Sequence, residues 1–387
     1  TIDHEVQSIH SDKTSNTSKI INTTTYNCTS MMTVASILIS IVLVTIITKS
    51  CSSSALSRAR SLETPQVKAI EGGETEHLDF WQNHEDLLQQ AWKEWGKEQQ
   101  ENLPGLDDDT IVMDPNIVQR THQLRDNPSM LLESAFQREF WSDEQIPNVY
   151  SCPSFLSPTG IRRLRQHLTA SSQAKIPTRR PNGMNRYGLV LDDETQGGVS
   201  YPEMDNFRHW LVTDYVRPMA RMLFPEWIGS HDDDENHYAF TIHYKKGEEQ
   251  NNNNKNNTTK TDVQLKEHTD ASVVTININI NLPQEDADEE DYYEGSDLLF
   301  FNEDSGERHS IKFEPGMAVI HRGLHRHQAL PIQKGERHQL IIWLFGRDGY
   351  VRILPYDKEE QLTVTERWSK DERETRRAQA STSLFEL

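Results

Sequence analysis

Cysteine is scarce in this chain of 387 residues, which has three: Cys28, Cys51 and Cys152. They form no even set that could frame a disulfide scaffold, and no cysteine spacing suggests a zinc cradle. Cys152 stands alone in the body of the chain and reads as a buried thiol, with no neighbour to activate it. Basic charge is also short, with 40 Lys and Arg against 60 Asp and Glu and a formal charge of −20. Such a chain has no basic stripe to displace counterions from phosphates, so nucleic acid is not expected as a partner. The acids gather in runs such as LDDD (106–109), HDDDE (231–235) and EDADEED (285–291), the pattern of solvated loops.

Long uncharged hydrophobic runs are missing except for MMTVASILISIVLVTIIT at 31–48. At about 1.5 Å per residue this run makes roughly 27 Å of helix, close to the roughly 30 Å of a bilayer core. Its polar residues, Thr33, Ser36, Ser40 and Thr45, are too mild to give a core helix its polar face, and its position and length do not suit a cleaved signal peptide. A single transmembrane anchor is expected. Lys49, Arg58 and Arg60 on one side outweigh Lys19 on the other, which keeps the large carboxy-terminal body cytosolic. The sequons at Asn16, Asn22 and Asn27 agree, since they require the short tail outside.

The expected organisation is a polar tail (1–30), the anchor (31–48), a stalk and helical region (49–145), a main domain (146–356) and a charged, helix-prone tail (357–387). Within the second region, residues 76–100 read as an amphipathic helix, with Trp81, Leu88, Trp92 and Trp95 near helical spacing. A tryptophan stripe of this kind is a packing surface against the main domain or a partner. ESAFQREFW (133–141) is a second, shorter helix candidate. In the main domain, SPTGIRRLRQHL (157–168) has a Ser cap and a first-turn Pro, and 205–227 reads as one longer helix. Short β-branched and aromatic runs follow: YAFTIHY, VVTININI, DLLFF, HSIKF, MAVIH and HQLIIWLF. Such strands in series imply a mainly β sandwich or barrel with supporting helices. NNNNKNNTTKT (251–261) is a low-complexity loop.

KEHTDASVVTINI (266–278) places His268 and Asp270 two apart at the mouth of a strand. Residues i and i+2 of a strand share a face, so this imidazole and carboxylate can hold one ion together. Two histidines and a carboxylate on one octahedral face make the facial triad of non-haem Fe(II) oxygenases. The third ligand must come from a neighbouring strand, and His321, His325, His327 and His338 are all candidates.

His268-x-Asp270, followed by a histidine, PIQKGER and an apolar strand, resembles the 2-oxoglutarate- and Fe(II)-dependent oxygenases, in particular the prolyl 4-hydroxylase-like branch. The resemblance covers about residues 146–356. It implies a double-stranded β-helix (jelly roll) and selects His327, ten residues before Arg337 and four before Pro331, as the distal ligand, although His321 or His325 could take its place. It further implies that Arg337 pairs with the far carboxylate of 2-oxoglutarate, a guanidinium fork suited to that group. Tyr244 resembles the tyrosine that hydrogen-bonds the same carboxylate. Asn182, Asn185, Arg186 and Tyr187 fall where a substrate-side segment would lie. The Asn-rich insert between Tyr244 and His268 departs from the pattern and bears on the nearby lid. Fe(II), 2-oxoglutarate and O₂ are the implied cofactors, with ascorbate as reductant. The implied reaction hydroxylates a C–H bond, of a peptidyl proline or another protein or small-molecule substrate, and releases succinate and CO₂. The family also implies an endomembrane, lumenal setting, opposite to the side that the flanking charges favour. A catalytically silent, membrane-tethered binding module on the same fold is the competing reading.

Overall fold

The computed structural model describes residues 54–63, 75–126, 142–143, 146–182, 184–185, 187–191, 197–224, 228, 237–245, 263–283, 292–302, 305–345, 350–352 and 361–363. The expected anchor (31–48) and the helix expected at 133–141 lie outside them. Among the described residues no helix is long and apolar enough to cross a membrane.

The architecture is mainly antiparallel β. One sheet runs in the order β1 (Ser142–Asp143), β2 (Val149–Cys152), β9 (Ala318–Arg322), β5 (Val274–Asn279), β11 (Ile332–Leu344), β3 (His237–Lys245), with β6 (Tyr293–Gly295) also paired to β11. The second runs β4 (Leu265–His268), β10 (His327–Ala329), β7 (Leu298–Phe301), β8 (Arg308–Ile311). Strand alternation sorts the large sheet into two faces. Tyr238, Phe240, Ile242, Ile341 and Trp343 share one apolar cluster with Leu298, Phe300 and Ile311 of the second sheet. Ala239, Ile276, Ile278, Ile320, Leu340 and Ile342 turn the other way and pack in a cluster with the helices. The large sheet is thus a middle layer.

The helices follow from local chemistry. Ser157 caps the helix Pro158–Gln173, its Oγ accepting from the Gly160 amide at 2.8 Å with Pro158 in the first turn. The stretch expected as one helix over 205–227 is a helix at Pro202–Trp210, a π-helical turn at Leu211–Val216 and a helix at Arg217–Leu223. Pro218 offers no amide hydrogen to the preceding turn, and the chain widens to π spacing just before it. The tryptophan helix spans Thr75–Gln99, with Trp81, Leu88, Trp92 and Trp95 buried in the helical cluster. Trp95 meets Trp92 and Tyr201 edge-on, with ring centroids 5.4 and 5.0 Å apart. The stripe therefore packs against the Tyr201 end of the Pro202–Trp210 helix. Cys152 is buried, and burial pushes its thiol up to about 12, which leaves it unreactive. Beyond the main domain, Gln361–Thr363 pairs with Tyr350–Arg352 as a strand.

Trp92 is almost fully enclosed, so Trp92→Ala should cost about 3–5 kcal/mol. Denaturant unfolding read by circular dichroism measures this. A loss below about 1 kcal/mol would mean that the helix is not part of the core.

Candidate metal centre

β4 and β10 pair antiparallel with His268 directly opposite His327. That register sets the two imidazoles side by side, with ring centroids 4.3 Å apart. Asp270 lies two residues past His268, on a turn fastened to the β9 end. Its amide donates to the Gly323 carbonyl at 2.8 Å, and the Gly323 amide donates to the Val273 carbonyl at 3.0 Å. His268 Nε2 lies 3.5 Å from Asp270 Oδ1, and His327 Nε2 lies 3.7 Å from Asp270 Oδ2. The ligand atoms of the three residues all fall within 4.8 Å of one another.

The donor set fits a metal ion. His268 Nδ1 is engaged by the Lys266 carbonyl at 2.7 Å, and His327 Nδ1 by the His325 carbonyl at 2.9 Å. Both rings therefore turn Nδ1 to backbone carbonyls, which aims each Nε2 at Asp270. Donors bound at about 2.1 Å on adjacent octahedral positions sit roughly 3 Å apart, a small contraction from the separations seen. Burial would raise the Asp270 carboxyl, but His327 and the His268 hydrogen bond hold it well below the usual carboxylate range. Burial presses His327 well below its ordinary value, so it is neutral as a ligand must be.

The other histidines have separate places. His325 gives its Nε2 to the Phe301 carbonyl at 3.1 Å. His321 is fully buried on β9. Its Nδ1 donates to the Arg322 carbonyl at 2.8 Å, its Nε2 faces Asn277 Nδ2 at 3.2 Å, and it lies 4.0 Å from Asp270 Oδ2. Burial pushes it down to about 4, so it stays neutral beside the carboxylate. His338 lies on the opposite face of β11, away from this group.

Spacing alone did not point to the supporting residues. Thr275 Oγ1 donates to Asp270 Oδ2 at 2.6 Å, and Ser272 Oγ lies 2.6 Å from Thr275 Oγ1. Thr275, Asn277 and Asn279 alternate with Val274, Ile276 and Ile278 along β5, so one side of this buried strand is polar. The signal was present in VTININ, where an Asn and Thr face inside a strand that is otherwise aliphatic marks a polar interior.

Arg337 and Tyr244 are cross-strand partners on β11 and β3, both buried, with the guanidinium carbon 5.1 Å from the ring centroid. With the Gln339 amide turned so that its oxygen faces the guanidinium, that oxygen accepts from Arg337 Nε at 3.0 Å and also from Nη2. Among the described residues no carboxylate forms an ion pair with Arg337, and burial brings its guanidinium down to about 10. A buried cation without a carboxylate partner among the described residues is suited to an incoming carboxylate. Tyr244 and Gln339 line a pocket together with His268, Asp270 and His327. Asn182, Met184 and Asn185 line it too. Asn182 Oδ1 accepts from the amides of Met184 (2.9 Å) and Asn185 (2.7 Å), and Asn185 Nδ2 donates to the Tyr244 hydroxyl at 3.4 Å. Tyr187 is exposed and does not line the pocket, and Arg186 lies outside the described residues.

An OGFOD2-like domain model matches residues 116–229. The 2-oxoglutarate and iron-dependent oxygenase domain-containing protein 2 of Xenopus tropicalis is 30% identical over 216 residues, 56% of this chain and 54% of its own length. Its counterpart ICU11 of Arabidopsis thaliana is 33% identical over 174 residues, 42% of this chain and 36% of its own. The chain is a relative of the 2-oxoglutarate- and iron-dependent oxygenases. It spans about half the length of the Xenopus relative and about a third of ICU11. A solved prolyl-4-hydroxylase of Pseudomonas putida aligns over 52% of this chain and 93% of its own at 16% identity and a TM-score of 0.35, too loose a likeness to build on.

Gly323 ties the Asp270 turn to β9, and a Cβ there would stand 2.0 Å from the Ser272 carbonyl oxygen. Gly323→Ala should therefore shift Asp270 and lower divalent-metal affinity roughly 10- to 100-fold, the usual cost of disturbing a ligand's support. Calorimetric titration with Mn(II) reads this, and unchanged affinity would show that the turn does not position the carboxylate.

Proposed function

We propose that this protein is an Fe(II)- and 2-oxoglutarate-dependent dioxygenase of the prolyl 4-hydroxylase-like branch, built on a double-stranded β-helix. It hydroxylates a C–H bond and releases succinate and CO₂. The observation that carries the reading is the meeting of His268, Asp270 and His327 in the pocket that Tyr244 lines, beside the buried Arg337, which forms no ion pair with a carboxylate among the described residues. The names of the Xenopus and Arabidopsis relatives support the iron and the co-substrate.

In this reading His268, Asp270 and His327 hold Fe(II). When bound with 2-oxoglutarate and O₂, the iron supplies the oxidising power that couples decarboxylation to hydroxylation, with ascorbate as reductant. The chain does the rest. Arg337 and Tyr244 seize the far carboxylate and fix the co-substrate's direction. Asp270 occupies a position that halogenation would need vacant, which favours hydroxyl transfer. Phe240, Ile341 and Trp343 wall the pocket and keep water from the reacting face. Asn182 and Asn185 line the mouth, where the prime substrate enters. A peptidyl proline is the proposed substrate and a small metabolite its rival. The 31–48 run completes the reading as a single-pass anchor to an endomembrane.

The test is succinate release from 2-oxoglutarate by the full chain with Fe(II) and ascorbate. Turnover should vanish in His268→Ala. If neither iron nor 2-oxoglutarate binds the unaltered chain, the reading fails. Arg337→Gln should raise the KM for 2-oxoglutarate roughly 30-fold or more, since it removes the partner of a buried carboxylate. An unchanged KM would place the co-substrate elsewhere.

A further inference from the structure

The strand pair that carries Tyr244 and Arg337 has a second polar cluster on its opposite face. His243 on β3 lies directly across from His338 on β11, and Glu336 stands two residues before His338 on the same side. The His338 amide goes to Asn281 Oδ1 at 2.8 Å, and the His243 amide to the Tyr187 carbonyl at 3.1 Å. The two histidines thus form a non-hydrogen-bonded cross-strand pair, the kind in which side chains approach closest. Their rings stack with centroids 3.9 Å apart.

Both imidazoles converge on one carboxylate oxygen. Glu336 Oε2 lies 2.7 Å from His243 Nε2 and 3.7 Å from His338 Nε2, and the three ligand atoms all fall within 4.8 Å of one another. His338 Nε2 is shut off from solvent and, among the described residues, has no hydrogen-bond partner. A buried ring nitrogen left unpaired in this way calls for an occupant. Lys245 pairs with the other carboxylate oxygen, and Arg165 is a nearby positive charge. Lys245 thereby leaves Oε2 to the two imidazoles.

We infer that His243, Glu336 and His338 form a second, divalent-metal site of zinc class. Two imidazoles and a carboxylate with a fourth position open suit that ion. The ligands are ready in their charge states. Burial pushes His338 down to about 3 and also lowers His243, so both rings are neutral at pH 7. His338, Lys245 and His243 hold Glu336 well below the usual carboxylate range against its burial. Binding exchanges the His243 Nε2–H···Glu336 hydrogen bond for two bonds to the ion, with the ring proton shifting to Nδ1 so that the imidazole stays neutral. An ion here would pin β3 to β11 at the register that sets Tyr244 opposite Arg337. The site stands independently of the proposed oxygenase activity.

The experiment titrates zinc into the untagged full chain carrying His268→Ala and His327→Ala, which disables the first cluster. Calorimetry should find saturable binding of zinc whose stoichiometry falls by one ion per chain when His243→Ala and His338→Ala are added. Glu336→Gln preserves volume and should weaken that same zinc at least tenfold while the circular dichroism spectrum is unchanged. Co(II) in place of zinc should give the d–d absorption of a four-coordinate nitrogen- and oxygen-ligated ion, absent in His338→Gln. Zinc binding of the same stoichiometry and affinity in these variants would overturn the assignment, as would no saturable binding in the starting chain.

Discussion

The pairing of β4 with β10 is the constraint on which the candidate centre depends. Only with His327 set against His268 do two imidazoles stand side by side over Asp270. A one-residue slip would turn one ring to the other face of its strand. The register is held on both flanks. β10 is pinned between β4 and β7, and the Asp270 turn is bonded through Gly323 to β9 of the other sheet. The centre therefore bridges two sheets and inherits its rigidity from both.

β11 then serves two surfaces at once. Arg337 and Gln339 point into the sandwich, while Glu336 and His338 point to the opposite side, and both sets have partners on β3. Further along, the same alternation becomes apolar on both faces, with Leu340 and Ile342 packed in the helical cluster and Ile341 and Trp343 in the sandwich. A charged guanidinium is tolerable at full burial because the strand on each side is fixed and Gln339 satisfies part of its fork.

Much of this was legible in the sequence because period-2 rules are local. His268-x-Asp270 must share a face, and the ten-residue step from His327 to Arg337 matched a known pattern. The capped helix at Ser157 and the buried tryptophan stripe followed from equally local chemistry. The residues alone left His321, His325, His327 and His338 open; the resemblance singled out His327, and the strand register that sets it opposite His268 depends on tertiary pairing. The π turn before Pro218 and the roles of Thr275, Asn277 and His321 depended likewise on contacts between distant segments. Asn182 and Asn185 reach the pocket while Tyr187 faces outward, a distinction that irregular backbone carries without any period to read.

The most direct test is a crystal structure of the chain grown without oxygen in the presence of Mn(II) and 2-oxoglutarate. The account predicts one ion within about 2.0–2.3 Å of His268 Nε2, His327 Nε2 and an Asp270 carboxylate oxygen. It predicts as well that the far carboxylate of the co-substrate lies on Arg337 and Tyr244. A metal bound without that triad, or a co-substrate carboxylate placed away from Arg337, would contradict it.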